Sequence, residues 1–143
     1  MEIDCDLREL DKITYELSKK LFTEITKDVE IPITSTQLYM LFYIRTKDEC
    51  KVTDIANYLG VTLGAVTSLV DRLCEFGFVG RRRNKQDRRQ VIIKLNNNGE
   101  NFLKQIDEKR KEAFTRYLEG MNQEEVKYFS SVVRGVIIKI LNS

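Results

Sequence analysis

The sequence predicts a mainly α-helical protein with one small β-hairpin in its middle. Only one Pro and seven Gly occur in 143 residues, which favours long uninterrupted helices over a loop-rich fold. Apolar residues recur at three- and four-residue spacing near both ends of the chain, as in amphipathic helices. Between these ends, two short β-prone runs, FVGRRR and RRQVIIKL, flank a polar turn. A chain of this length forms one domain, or two small lobes that share a core.

The first part of the chain is predicted to form two helices. Pro32 ends the first helix near the VEIPI turn. Thr34 or Ser35 can cap the second, because a hydroxyl at the N-cap accepts a hydrogen bond from a backbone N–H. The apolar stripe of the first helix comprises Ile3, Leu7, Leu10, Ile13, Leu17, Leu21 and Ile25. That of the second comprises Leu38, Leu41, Phe42 and Ile44.

The C-terminal part is predicted to form two more helices, with Gly120 as a stop and Asn122 as a start. Their apolar stripes are Phe102, Ile106, Ala113, Phe114, Tyr117 and Leu118, then Val126, Phe129, Val133, Val136, Ile137, Ile140 and Leu141. One small domain cannot bury all these stripes. We therefore expect residues 1–33 and 100–143 to form a dimerisation region that packs against a second copy. The alternative is a monomeric helical bundle closed on itself.

The stretch VTDIANYLGVTLGAVTSLVDRL, residues 52–73, has the pattern of a helix-turn-helix. Thr53 is a good N-cap for its first helix and Thr62 for its second. Gly60 suits the left-handed backbone of a tight turn, and Ala56 is small where two helices cross closely. The alternative is an ordinary helical hairpin. The second helix would turn Leu63, Gly64, Ala65, Thr67, Ser68, Asp71 and Arg72 outward, and a recognition helix reads base edges with that side.

A two-stranded hairpin after this helix would be a wing, so residues 34–99 are predicted to be a winged helix-turn-helix domain. Gly77 ends the helix, and Val91, Ile93 and Leu95 alternate toward one face of the second strand. From Asp71 to Lys94, eight Lys/Arg stand against three Asp/Glu, a balance of +5. The rest of the chain has 16 against 19, a balance of −3. Such an asymmetry is typical of a nucleic-acid-binding element.

With these pieces the chain resembles the MarR (multiple antibiotic resistance regulator) family of bacterial transcription factors. The matching segments are VTDIANYLGVTLGAVTSLVDRLCEFGFVGR, the wing motif Asp87–Arg88–Arg89, and VIIKLNNNGENFL, where Asn96 replaces the usual Thr. The resemblance implies a homodimer that binds a pseudo-palindromic operator, usually represses, and is released by a small aromatic or anionic effector. It also implies that Arg88 enters the minor groove while Asp87 holds the arginines of the wing in place, for which we expect a charged pair with Arg89.

The candidate DNA-binding residues combine the outward face of the recognition helix with the wing. Thr62 suits a phosphate, Thr67 and Ser68 can reach base edges or phosphates, and Leu63 and Ala65 can touch a thymine methyl. The full set is Thr62, Leu63, Ala65, Thr67, Ser68, Arg72, Arg82, Arg83, Lys85, Asp87, Arg88 and Arg89. The candidate effector pocket comprises Tyr15, Phe22, Tyr39, Phe42 and Tyr43, although such aromatic residues are more often core.

Other classes of function are less well supported. We expect no enzyme, cofactor or metal, because the chain has no His, no CxxC pair, no Gly-rich phosphate loop and no nucleophile elbow. We also expect no signal peptide or membrane span. Cys5, Cys50 and Cys74 are expected to be reduced thiols in a cytoplasmic protein. The two alternatives are a redox-sensing regulator that uses Cys5, although its acidic surroundings raise a thiol pKa, and a winged-helix module that docks protein.

Overall fold

A computed structural model describes residues 7–143 of the protein, so Ile3 and Cys5 lie outside the described residues. Its elements, in chain order, are α1 Leu7–Thr26, α2 Ser35–Arg45, β1 Cys50–Lys51, α3 Val52–Leu59, α4 Leu63–Glu75, β2 Val79–Arg83, β3 Val91–Leu95, α5 Asn97–Tyr117 and α6 Gln123–Leu141. The predicted class, mainly α with a small β-wing, is confirmed. Within residues 7–143, no helix is both long and apolar enough to span a membrane.

Most of the predicted helix ends are confirmed by their hydrogen bonds. Thr34 caps α2: its hydroxyl accepts from the Gln37 N–H at 3.2 Å, and its own N–H donates to Gln37 Oε1 at 2.9 Å. Asn96 caps α5 by accepting from the Gly99 N–H at 3.0 Å. Asn122 caps α6, and Gly120 before it has a φ of 92°, in the left-handed region that glycine tolerates.

The helix-turn-helix is formed by α3 and α4, joined at Gly60 with a φ of 66°. Thr62 caps α4 as predicted, with its hydroxyl 3.2 Å from the Ala65 N–H. The prediction that Thr53 caps α3 is wrong. The N-cap is Lys51, whose N–H donates to the Asp54 carboxylate at 3.2 Å. The helix begins two residues earlier than predicted, because it follows directly from β1, which pairs with β3.

The sheet has the strand order β1-β3-β2, and all its pairs are antiparallel. The predicted hairpin of β2 and β3 is present, with Val79 opposite Leu95 and Arg83 opposite Val91. The two-residue strand β1 was not predicted. β3 also begins at Val91 rather than at position 88, so the wing loop covers residues 84–90 instead of three turn residues.

The core lies between the sheet and α2, α3, α4 and α5. Its fully buried members include Leu41, Ile55, Val66, Leu73, Ile93 and Leu103. Val91 and Leu95 pack against this core on the same face as Ile93, as predicted. Ile92 points to the other face of the strand and is also fully buried, which the alternating pattern did not indicate. These contacts fix α4 and the wing in one orientation.

Large apolar side chains remain exposed on α1 and α6. On α1, Leu10, Ile13 and Leu17 are about half exposed. On α6, seven residues are 40–66% exposed: Phe129, Val132, Val133, Val136, Ile137, Ile138 and Ile140. From Phe129 to Ile140, the apolar stripe predicted for α6 is therefore not covered by the protomer. The Leu141 side chain at its end lies outside what the structure describes.

Candidate nucleic-acid interface

The recognition helix candidate, α4, is buried along one side and exposed along the other. Val66, Val70 and Leu73 are buried, because they face α3 and the sheet. The residues expected to face outward are all exposed: Leu63, Gly64, Ala65, Thr67, Ser68, Asp71 and Arg72. The first turn of α4 thus presents small and apolar groups, and polar groups follow in the second and third turns.

The hydroxyl groups on this exposed side bond to their own helix. Thr67 donates to the Leu63 carbonyl at 3.0 Å, and Ser68 donates to the Gly64 carbonyl at 3.3 Å. A hydroxyl has one proton and two lone pairs. While these bonds persist, both side chains offer an outside partner only acceptor sites. Such sites match the amino groups of adenine and cytosine in the major groove, whereas a phosphate needs a donor.

The wing loop, residues 84–90, is held by hydrogen bonds to its own backbone. The Asp87 carboxylate accepts from the Arg89 N–H at 3.1 Å, and the Arg83 guanidinium donates to the Arg88 carbonyl at 2.9 Å. The loop closes where the Asn84 N–H donates to the Gln90 carbonyl at 2.9 Å. The prediction that the Asp87 carboxylate pairs with the Arg89 guanidinium is wrong. Asp87 holds the backbone of Arg89, because an Asp side chain readily reaches the N–H two residues ahead.

Three arginines around this surface are paired with carboxylates. Arg72 pairs with Glu75 at 2.9 Å. Arg81 pairs with Asp71 of α4, and Arg82 pairs with Glu49. The hydrogen bond that the Arg81 guanidinium donates to the Asp71 carboxylate also raises the pKa of Arg81. The sequence alone did not indicate these pairs, because the partners of Arg81 and Arg82 come from other elements.

The tip of the wing carries the charges that are not paired in this way. In the part of the chain that the structure describes, the side chains of Lys85, Arg88 and Arg89 have no ion-pair or hydrogen-bond partner, and all three are exposed. Their charges project from a loop whose backbone is held in place. Such an arrangement suits contact with a polyanion.

A cavity of about 370 Å³ lies between α4 and the wing. Its lining includes Leu63, Thr67 and Val70 of α4, together with Arg81, Arg89 and Val91 of the wing region. It therefore combines an apolar floor with two guanidinium groups, inside the surface just described.

The five aromatic residues proposed for an effector pocket lie on two helices. Tyr15 and Phe22 are on α1, while Tyr39, Phe42 and Tyr43 are on α2. Phe42 has the guanidinium groups of Arg45 and Arg110 over its ring, at 5.3 and 4.9 Å from the ring centroid. Tyr43 instead stacks on Tyr58, with 4.1 Å between ring centroids. The neighbouring residues Phe42 and Tyr43 thus contact different partners. An effector pocket formed by all five aromatic residues stays a prediction.

The thiols described by the structure are Cys50 and Cys74. Cys50 is fully buried in β1, and burial raises its pKa to about 11. Cys74 is half-buried near the end of α4. Within residues 7–143 there is no group of three or more Cys, Asp or Glu residues that could hold a metal ion. Cys5, the candidate for redox sensing, lies outside the described residues.

Comparison with known proteins places these features in a family. The MarR family model matches residues 33–91. The transcriptional repressor MdtR of Bacillus subtilis is 30% identical over 111 residues, which cover 77% of this chain and 72% of MdtR. The chain belongs to the MarR family. The uncharacterised regulator YfiV of the same bacterium is 30% identical over 102 residues, and the match spans 71% of this chain but only 64% of YfiV.

Solved structures show that the fold is shared over nearly the whole chain. A MarR family protein from Bacillus stearothermophilus has a TM-score of 0.80 at 26% identity, covering 94% of this chain and 95% of that protein. Wild-type apo MarR of Escherichia coli has a TM-score of 0.76 at 26% identity, covering 94% and 98%. The resemblance to the MarR winged helix-turn-helix proteins is confirmed, and MarR-family proteins are DNA-binding transcriptional regulators rather than enzymes.

Proposed function

We propose that the protein is a homodimeric transcriptional repressor that binds a pseudo-palindromic operator. The observation that carries this proposal is the position of an exposed α4 face beside a wing tip with free positive charges, Lys85, Arg88 and Arg89. A helix of this kind fits the major groove, and a basic hairpin tip reaches the adjacent groove or backbone. Each half of the operator would contact one protomer.

The residues of the interface take different roles in this proposal. Arg88 enters the minor groove, while Arg83, Lys85 and Arg89 neutralise phosphates and position the wing. Thr62, at the N-terminus of α4, meets a phosphate. Thr67 and Ser68 accept from base amino groups, while Leu63 and Ala65 contact thymine methyls. Arg72 and Arg82 reach the backbone only when they leave Glu75 and Glu49. Because few side chains on α4 are long and polar, base readout is modest and phosphate contacts dominate the affinity.

The dimer is supported by the apolar surface that the protomer leaves exposed. The large apolar residues of α6 are 40–66% exposed from Phe129 to Ile140. A soluble monomer rarely exposes an apolar patch that runs along a whole helix. Residues 1–33 and 100–143 supply the dimerisation region in this proposal, and residues 34–99 supply the DNA-binding domain. A second copy would cover α6 and the exposed stripe of α1.

Release by a small molecule is supported by the cavity between α4 and the wing. Its apolar floor and the guanidinium group of Arg89, which is not paired with a carboxylate, suit an anionic aromatic compound. A ligand there would occupy the DNA-facing side and compete with the operator. BpsR of Bordetella bronchiseptica, which shares the fold, is regulated in its DNA binding by 6-hydroxynicotinic acid. The aromatic set on α1 and α2 is a second candidate for the effector site.

The experiment that tests this function is selection of bound fragments from the genome of the source organism. The recovered fragments are then used in mobility-shift titrations at low and moderate salt. The proposal expects an enriched two-fold symmetric sequence that is bound by a dimer and lost as salt rises. Absence of any DNA binding at low salt would instead favour a winged-helix module that docks protein. Binding that is lost on oxidation and is restored by a thiol reductant would favour the redox-sensing alternative.

A further inference from the structure

The two arginines in the middle of β2 point to opposite sides of the wing. Arg81 pairs with Asp71 on α4, whereas Arg82, the next residue, pairs with Glu49 in the loop before β1. Side chains alternate along a strand, so neighbouring residues face opposite sides. Arg82 and Glu49 line an open cleft of about 390 Å³ together with Asn84, Lys85 and Gln86. This cleft is separate from the cavity beside α4.

The position of Glu49 follows from the register of the sheet. Cys50 is opposite Ile93 on β3, and Arg81 is opposite Ile93 from the other side. Glu49 immediately precedes Cys50, so the backbone places it across the sheet from the first leg of the wing. The pair is accessible to solvent, since 43% of the Arg82 side chain and 54% of the Glu49 side chain are exposed. An exposed pair of this kind is weak and opens readily.

We propose that Glu49 competes with DNA for Arg82 and thereby limits the affinity of the protein for DNA of any sequence. A carboxylate and a phosphate are the same kind of partner for a guanidinium, since both accept two parallel N–H bonds. While Arg82 is held by Glu49, it neutralises no phosphate. When the pair opens, Glu49 remains beside the DNA as an uncompensated negative charge. In both cases, the wing neutralises fewer DNA phosphates than its number of basic residues suggests. This inference rests on the proposed DNA contact by the wing.

Such a residue has a consequence for how the protein searches DNA. Binding to non-operator DNA comes almost entirely from phosphate contacts. A carboxylate that keeps one arginine from binding phosphate therefore shortens the time that the protein stays bound to non-operator DNA. The contacts of α4 with base edges do not change. Glu49 acts through Arg82, and so it is a positioning residue rather than one that contacts bases.

The test compares Glu49→Gln with Asp48→Asn on a non-operator duplex, over a series of salt concentrations. Both variants remove one negative charge from the same exposed loop, but within residues 7–143 Asp48 has no ion-pair partner. E49Q is expected to bind about two- to five-fold more tightly at low salt, the range of an exposed pair. The slope of log affinity against log salt should steepen by about 0.9, which is one further phosphate contact. D48N should gain less affinity and keep the wild-type slope.

A second pair of variants asks whether the effect passes through Arg82. In an Arg82→Ala background, Glu49→Gln should no longer steepen the salt slope, and most of its affinity gain should disappear. If E49Q and D48N behave alike, or if the gain and the steeper slope persist without Arg82, the inference is wrong while the DNA-binding function stands. A wild-type protein that binds no duplex at any salt concentration would overturn both.

Discussion

The carboxylate of Asp87 accepts a hydrogen bond from the backbone N–H of Arg89, with 3.1 Å between the oxygen and the nitrogen. The backbone carbonyl of Asp87 also accepts from the Gln90 N–H at 3.0 Å. Asp87 thus organises the loop through hydrogen bonds to the backbone. The neighbouring Arg88 side chain is left exposed at the tip.

The first prediction separates the hydrogen bond of Asp87 from its charge. Asp87→Asn keeps an oxygen that can accept from the Arg89 N–H, so it should bind operator DNA at least as tightly as the wild type. Asp87→Ala removes the acceptor and should weaken binding by about three- to ten-fold, the range of one lost hydrogen bond. Fluorescence anisotropy with labelled operator measures both. Equal losses in the two variants would mean that the charge of Asp87, rather than its hydrogen bond, orders the wing.

The second prediction concerns the apolar stripe of α6. Ile137 is 49% exposed in the protomer, so Ile137→Glu should leave the fold intact but place a charge in the proposed dimer interface. Sedimentation velocity should show a monomer, and operator affinity should fall at least ten-fold because only one half-site is bound. Lys127→Glu, at an exposed polar position of the same helix, is the control and should stay dimeric. A dimeric I137E protein would contradict the proposed interface.

The third prediction concerns the junction of the wing with α5. A Cβ at Gly99 would lie 2.2 Å from the Phe78 carbonyl oxygen and 3.0 Å from a Leu95 methyl group. Gly99→Ala should therefore lower the free energy of unfolding by roughly 3 kcal/mol, as for severe overpacking. Gly80→Ala is the matched control, since a Cβ there meets nothing within 4 Å. Urea unfolding measures both. An unchanged G99A stability would show that α5 shifts freely against the wing.

The fourth prediction follows from the buried thiol in β1. Burial raises the pKa of Cys50 from its usual 9.0 to about 11. Only the thiolate reacts with iodoacetamide, so Cys50 should stay unmodified in the native protein at pH 8 while half-buried Cys74 is modified. Because the folded pKa is the higher one, the contribution of Cys50 to stability is fully present below pH 9 and declines as pH rises toward 11. Mass spectrometry of labelled peptides tests the first point. Rapid native labelling of Cys50 would contradict its burial.

The helix caps and the tight turn could be predicted from the sequence, because each depends on residues that are close together in the chain. The caps at Thr34, Thr62 and Asn96 and the left-handed turn at Gly60 each depend on a few neighbouring residues, and the structure has all of them. The start of α3 was not predicted correctly, because it depends on β1. That strand has two residues, too few for any periodic pattern, and it exists only through its pairing with β3.

The charged partners in the candidate site could not be predicted for a related reason. Arg82 and Glu49 are 33 residues apart, and only the register of the sheet brings them together. The charge count of the wing correctly indicated a basic element, but it did not show that Arg81 and Arg82 are already paired. The sequence also suggested that Asp87 would bind the side chain of Arg89, because the two residues have opposite charges. The backbone conformation that brings the Arg89 N–H to the carboxylate cannot be read from residue types.

The central claim is that the wing binds DNA through Arg88, and the salt dependence of operator binding tests it most directly. Wild type, Arg88→Ala and the control Lys20→Ala, which removes a positive charge from α1, are titrated against one operator duplex between 50 and 200 mM salt. Arg88→Ala should bind more weakly, because a guanidinium in the minor groove meets the strong negative potential there. Its slope should be reduced by about 1, the effect of removing one cation from the DNA surface, while Lys20→Ala keeps the wild-type slope. An Arg88→Ala protein with wild-type affinity and slope at every salt concentration would contradict the claim.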